Sequence, residues 1–218
     1  MQALYDSPWH NPGLFWLAGA LFFVALGRRL GPWYAFLLLF GAEIVADATL
    51  TGGWSPIPAT SPWSSRVGVI FVILGDLRYF WLQERAVGAQ FGGPVAARAV
   101  GLSLLVPILS FVVPALAPGL FTGRALFLLY EVLLFVWALV FWLLRSRSRL
   151  APGPEAQAAR ELLLFELVQY GSWALADVLI LSGIEAGYAL RLIPNTMYYA
   201  LFLPFVLWRF PSAAPPRS

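Results

Sequence analysis

The chain has no cysteine, no lysine and a single histidine among its 218 residues. Each gap closes off a class of chemistry. Without cysteine it forms no disulfide, offers no thiolate nucleophile and supplies no sulfur ligand to a metal. Without lysine it cannot form the Schiff base on which seven-helix retinal pigments depend. His10 lies in the N-terminal arm, so imidazole catalysis and transition-metal binding have almost nothing to build on. No metal and no cofactor is expected. Charge is sparse as well: 11% of residues are charged, where a soluble domain carries roughly 25%. All 14 basic residues are arginines, which a GC-rich genome explains as simply as any chemistry. They flank hydrophobic runs rather than forming a patch. The net charge of +3 is therefore a topology signal, and no nucleic-acid partner is expected.

What fills the chain is apolar. Hydrophobic residues make up 60% of it, mean hydropathy is +0.76, and the excess runs from end to end. This distribution predicts an all-α, polytopic membrane helix bundle, a single integral membrane domain over residues 1–218. The apolar runs predict seven transmembrane helices near 12–28, 33–52, 66–84, 95–117, 123–145, 160–182 and 187–209. Arg28, Arg29, Arg85, Arg98, Arg145, Arg147, Arg149, Arg160, Arg209 and Arg217 fall on one side of this arrangement. Only Arg66, Arg124 and Arg191 mark the other. The positive-inside rule then puts the N-terminus outside and the C-terminus in the cytoplasm, as an odd number of spans requires. The expected location is a bacterial cytoplasmic membrane. Asp6 precedes the first run and arginines follow it, the reverse of a cleavable signal peptide. Trp9, Trp54 and Trp63 are expected at the outer interface, Trp33, Trp81, Trp142 and Trp208 at the inner one. Trp16, Trp137 and Trp173 fall deeper, as packing.

The longest polar stretch, Arg145 to Glu161, starts basic and carries Pro-Gly-Pro. It suits anionic lipid headgroups and interrupts the helix. The link from Gly52 to Ser65 is uncharged and rich in Pro, Ser and Trp, as for a lid on the interface. The fourth span, with Pro107, Pro114 and Pro118, is predicted to be a kinked packing helix. Ala46–Gly52 is echoed by Ala176–Gly183. Spans one to three and five to seven are thereby candidates for parallel repeats joined by the proline helix.

Six carboxylates interrupt the apolar runs: Glu43, Asp47, Asp76, Glu131, Glu166 and Asp177. An ionised acid at the bilayer centre costs about 2.5–3.5 kcal/mol. Each must be paired, protonated or hydrated, and function is expected among them. Glu43 and Asp47 are four apart and share a helix face. Asp76 leads Arg78 and Tyr79 on span three. Glu166, Tyr170, Trp173 and Asp177 stripe span six, with Gln169 beside them. Arg191, Asn195 and Tyr198 line span seven, with Tyr199 adjacent. Arg78 and Arg191 are each expected to neutralise one acid, which leaves about three of the deep ones to be protonated or hydrated. Glu166 is placed near the cytoplasmic face, among headgroups or the basic link. Glu131 is the acid most simply explained as structural.

Gly75-Asp76, Asp177 about a hundred residues later, and Thr196-Met197-Tyr198-Tyr199 beyond it resemble the lysoplasmalogenase family of polytopic membrane hydrolases. Tyr130 is a further echo. The family usually has eight spans and a membrane histidine, where this chain has seven predicted spans and none. The resemblance implies cleavage of the vinyl-ether bond of a lysolipid, with Asp76 and Asp177 as acid/base pair and Tyr198 or Tyr199 orienting the substrate. Glu43, Asp47, Arg78, Tyr79, Glu131, Gln169, Tyr170, Trp173, Arg191 and Asn195 are the candidate substrate- or ion-binding residues. The expected partner is a membrane lipid or lysolipid. Two other readings stay open. One is a proton- or cation-coupled transporter built as a three-plus-one-plus-three bundle; the other is a structural or assembly protein whose acids knit the helices together.

Overall fold

A computed structural model describes residues 1–7, 16–27, 34–51, 55–58, 61–87, 93–117 and 119–210. Trp9, His10, Arg28, Arg29, Trp33, Gly52, Trp54, Pro118 and Arg217 lie outside the described residues. Every regular element among the described residues is helical. The helices are α1 (Gln2–Tyr5), α2 (Trp16–Gly27), α3 (Tyr34–Thr51), α4 (Pro62–Ala86), α5 (Gly93–Leu116), α6 (Arg124–Phe141), α7 (Arg147–Arg149), α8 (Pro154–Leu181), α9 (Ala186–Thr196) and α10 (Phe202–Arg209). A π-helical turn at Trp142–Ser146 joins α6 to α7, and a second at Met197–Leu201 joins α9 to α10. The two composite helices therefore run unbroken over Arg124–Arg149 and Ala186–Arg209.

Among the described residues five helical runs are long and apolar enough to cross a membrane: Tyr34–Thr51, Gly93–Leu116, Arg124–Arg149, Pro154–Leu181 and Ala186–Arg209. Of the first predicted span, the described residues include Trp16–Gly27, the 12 residues of α2, and the rest of that span lies outside them. In the third, α4 has 25 residues, but any 18-residue stretch of it holds Asp76 and Arg78 together with Arg66 or Glu84. Length allows α4 to span; its own charge opposes it. The sixth predicted span also starts earlier, because Pro154 fits the first turn of a helix, where its missing N–H leaves nothing unpaired. Pro-Gly-Pro thus opens α8 instead of ending its predecessor. Proline does not end α5 either. It continues through Pro107 and Pro114, and the Trp137 indole donates to the Leu102 carbonyl at 3.1 Å, in the turn that Pro107 disturbs.

The burial pattern inverts that of a water-soluble protein. On α8 the buried side chains include Glu166, Gln169 and Asp177, while Leu164 and Val168 are 52% and 54% exposed. On α5, Phe111 is 70% exposed. Soluble monomers rarely leave such contiguous apolar surface bare. An apolar exterior around polar interior stripes fits hydrocarbon surroundings.

Contacts divide the chain into two compact units, residues 1–5 with 69–194, and residues 6–68 with 195–218. In the first, α6 packs most extensively on α8, and α5 on α6. Leu134, Ala138 and Phe141 face inward at three- and four-residue spacing, with Phe80 of α4 edge-on to Phe141 at 5.3 Å. The chain turns from α8 to α9 through Gly183, whose φ of 78° suits glycine. The Gly183 and Ile184 amides bond back to Ile180 and Leu179, each at 2.9 Å, which closes the helix end with a Schellman motif. In the second unit, α2 packs on α3 and α10 on α3. Leu37, Phe40, Gly41, Ile44 and Ala48 form the buried stripe of α3.

Candidate functional site

The first unit buries its polar residues in three clusters. At the centre of one is Asp76, 1% exposed. Tyr170 of α8 donates to its Oδ1 at 2.9 Å, and Tyr130 of α6 donates to its Oδ2. Three helices thus supply the acid and its two phenols. Glu166 precedes Tyr170 by one turn of α8, so both side chains lie on the same face. The buried Arg78 guanidinium acts electrostatically on both Asp76 and Glu166, and Asp76 acts on Glu166. Glu166 Oε1 and both polar atoms of the Gln169 amide are buried without a hydrogen-bond partner among the described residues. The Tyr79 hydroxyl donates to the Ala138 carbonyl at 3.4 Å, and Trp173 meets the Tyr170 ring edge-on at 5.1 Å.

The placement of Glu166 corrects the sequence expectation. It is buried inside the unit rather than set among headgroups. The reason is the early start of α8. Twelve residues separate Pro154 from Glu166, which is about 18 Å of helix rise; counted from residue 160, the same position falls in the second turn.

The second cluster surrounds Asp177. Arg124 donates to its Oδ1 at 2.9 Å, and Arg191 donates to the same oxygen. Arg191 also reaches Glu131 at 3.4 Å. The expectation that Arg191 neutralises a single acid is corrected, and Arg124, read as a helix-end topology marker, is a second partner. The turn at Gly183 folds α9 back and brings Arg191 alongside Asp177. Arg124 stands over the Tyr188 ring at 5.6 Å and Arg191 over Tyr5 at 5.8 Å. Asp177 lies seven residues beyond Tyr170 on α8, roughly 10 Å of helix rise. Asp76 and Asp177 therefore have distinct surroundings: phenols for one, guanidinium groups for the other.

The third cluster was not anticipated. Glu84 is 1% exposed. It accepts from Arg98 at 2.9 Å and from Arg145, whose Nη2 lies 2.7 Å from Oε2. Beside it, Gln83 donates to the Ala159 carbonyl at 2.9 Å and accepts from the Ser146 hydroxyl at 3.1 Å. Glu84 was the last residue of a predicted span, and Arg98 and Arg145 were read as boundary markers. Continuation of α4 to Ala86 turns that boundary into interior.

In the second unit, Tyr198 donates to Glu43 at 3.0 Å and Tyr199 donates to Asp47 at 3.1 Å. Thr51 donates to the other Asp47 oxygen at 2.7 Å. The shared face of Glu43 and Asp47 meets two consecutive tyrosines within a π-helical turn, their rings 4.7 Å apart and edge-on. Asn195 is buried. The two aspartates of the sequence echo thus hold different partners. Asp47 has a phenol and a hydroxyl; Asp177 has two guanidinium groups. Among the described residues no three metal-ligating side chains gather at one point.

No family model matches the chain, and comparison with curated proteins and with solved structures finds no match either.

Proposed function

We propose that the chain is an integral membrane hydrolase that cleaves the vinyl-ether bond of a lysolipid and uses Asp76 as its proton donor. It crosses a bacterial cytoplasmic membrane seven times, with its N-terminus outside and its C-terminus in the cytoplasm. The arginine bias supports that orientation. One observation carries the catalytic reading. Asp76 is buried with both of its oxygens held by phenols, and the buried Glu166 lies one turn from Tyr170. A buried carboxyl bonded to uncharged partners in an apolar interior is the kind that serves as an acid. A carboxylic acid kept protonated away from water is what protonation of carbon requires.

The reaction follows from that proton. Asp76 gives it to the vinyl carbon remote from the ether oxygen, and the adjoining carbon becomes an oxocarbenium. Glu166, left as a carboxylate, takes a proton from water as the water oxygen bonds to that carbon. The resulting hemiacetal collapses to an aldehyde and a free glycerol hydroxyl. Gln169, whose buried amide lacks a hydrogen-bond partner among the described residues, lies one turn from Glu166 and would hold the attacking water or the substrate hydroxyl. Asp177, between two guanidinium groups, anchors α6, α8 and α9. Glu43 and Asp47, each held by a tyrosine, support the runner-up, proton-coupled transport, in which they act as additional proton carriers.

The test uses purified protein in mixed micelles with a lysoplasmalogen. Wild type releases aldehyde, and Asp76→Asn reduces the rate by roughly 10²–10⁴-fold while the protein stays folded. The same preparations in liposomes under a pH gradient give no proton flux. Flux abolished by Asp76→Asn, with no aldehyde from wild type, replaces the hydrolase with the transporter.

A further inference from the structure

A cavity of about 300 Å³ opens where the composite helix of α6 and α7 meets the start of α8, lined by Trp142, Arg147, Leu150, Gly153, Gln157 and Arg160 among others. A second cavity of about 380 Å³ adjoins it and shares Trp142, Arg147 and Arg160. Pockets that hold small molecules begin at about 300 Å³. Two arginines facing one hollow repel each other unless something negative lies between them.

The neighbouring arginines are already engaged. Arg98 and Arg145 both bond to Glu84, and Arg85 is buried within the electrostatic reach of Glu155. Arg147 and Arg160 are exposed and form no ion pair with a carboxylate among the described residues. Trp142 supplies an indole, a side chain that sits readily at the level of lipid headgroups because it is apolar with one donor. Gln157 adds an amide, itself bonded to Glu161. Two guanidinium forks, an indole and an amide around one hollow match a phosphate carried at the end of an apolar body.

We infer that Trp142, Arg147, Gln157 and Arg160 form a binding site for the phosphate of an anionic membrane phospholipid, apart from the carboxylate site. The lipid is a resident ligand and not the substrate: the Asp76 cluster contributes nothing to this cavity. The inference stands whether or not the chain is a hydrolase.

The full-length protein is purified in a neutral detergent. Retention of phosphatidylglycerol is measured by native mass spectrometry, and its thermal protection is compared with that from phosphatidylcholine and from inorganic phosphate. The double variant R147Q/R160Q is set against Arg149→Gln, a third exposed arginine of the same link that does not line the cavity. Wild type and Arg149→Gln bind phosphatidylglycerol equally, and the double variant binds it roughly thirtyfold more weakly. Phosphatidylcholine competes poorly. Protection by inorganic phosphate at comparable concentration, lost in the double variant, keeps the phosphate site and assigns it to a soluble phosphate. Equal binding in the double variant, or an equal loss in Arg149→Gln, overturns the site and leaves only diffuse basic attraction. Circular dichroism shows that the variants remain folded.

Discussion

Asp177 lies between two guanidinium groups and Asp76 between two phenols, so the same isosteric change has unequal effects at the two positions. Asp177→Asn leaves Arg124 and Arg191 facing a neutral amide. Breaking a buried ion pair from one side costs about 3 kcal/mol, and the melting temperature of the detergent-solubilised protein falls accordingly. Asp76→Asn keeps the shape that Tyr130 and Tyr170 contact and, for the proton donor proposed above, exchanges one uncharged group for another, so stability changes by less than about 1 kcal/mol. A larger loss from Asp76→Asn than from Asp177→Asn overturns this ranking. The acids themselves were legible in the sequence, because a charge inside an apolar run stands out. Their partners were legible only in part. Tyr170, Arg191, Tyr198 and Tyr199 stand out as polar side chains on apolar helices and Tyr130 as an echo of the family pattern, whereas Arg124 and Arg145 satisfy the topology rule so well that nothing marks them as interior ligands. Glu166 was misplaced for a different reason: its depth depends on where α8 begins, and a Pro-Gly-Pro run fits the end of one helix as well as the start of the next.

At the level of elements, α9 approaches α8 closely just after the turn that joins them. A Cβ on Gly187 would lie 2.6 Å from the Ala176 carbonyl oxygen and 3.0 Å from the Ile180 amide nitrogen. Both are backbone atoms that cannot rotate away. Gly187→Ala therefore forces α9 off α8 and costs about 1–3 kcal/mol. Gly101, whose Cβ would meet nothing within 4 Å, is the control: Gly101→Ala is neutral or stabilising by up to about 1 kcal/mol. Thermal unfolding in detergent reads both, and equal effects discard the close-approach argument. Because Arg191 lies one turn beyond Gly187, the alanine also weakens its bond to Asp177. The helices were legible as apolar runs, and among the described residues five are long and apolar enough to cross a membrane. The π-helical turns were not, since one extra residue per turn leaves composition and hydropathy untouched. Yet one of those turns holds Tyr198 and Tyr199 against Glu43 and Asp47.

For the molecule as a whole, the inversion of polarity sets how it behaves. Washing membranes with alkaline carbonate leaves the chain in the pellet, and only detergent releases it; release by carbonate alone contradicts an apolar exterior facing lipid. Reporter fusions in the 150–153 link and after Arg209 give the cytoplasmic signal that the arginine bias predicts, and a periplasmic signal at either point reverses the proposed orientation. Polarity and charge bias are whole-chain sums, which is why they were readable without any alignment of one helix on another. The division into two compact units was not, because apolar runs of similar length carry no mark of which neighbours they choose.

The charges of α4 have a bearing on biogenesis. Asp76 waits for Tyr130, 54 residues later, and Tyr170, 94 residues later; Glu84 waits for Arg98 and Arg145. While these later segments are still on the ribosome, α4 is a poor candidate to enter lipid by itself, since each unmatched charge there costs about 2.5–3.5 kcal/mol. The insertion machinery must hold it at the channel, or at the water boundary, until the nascent chain has delivered α8. Truncation before α8 should therefore strand α4 outside the bilayer.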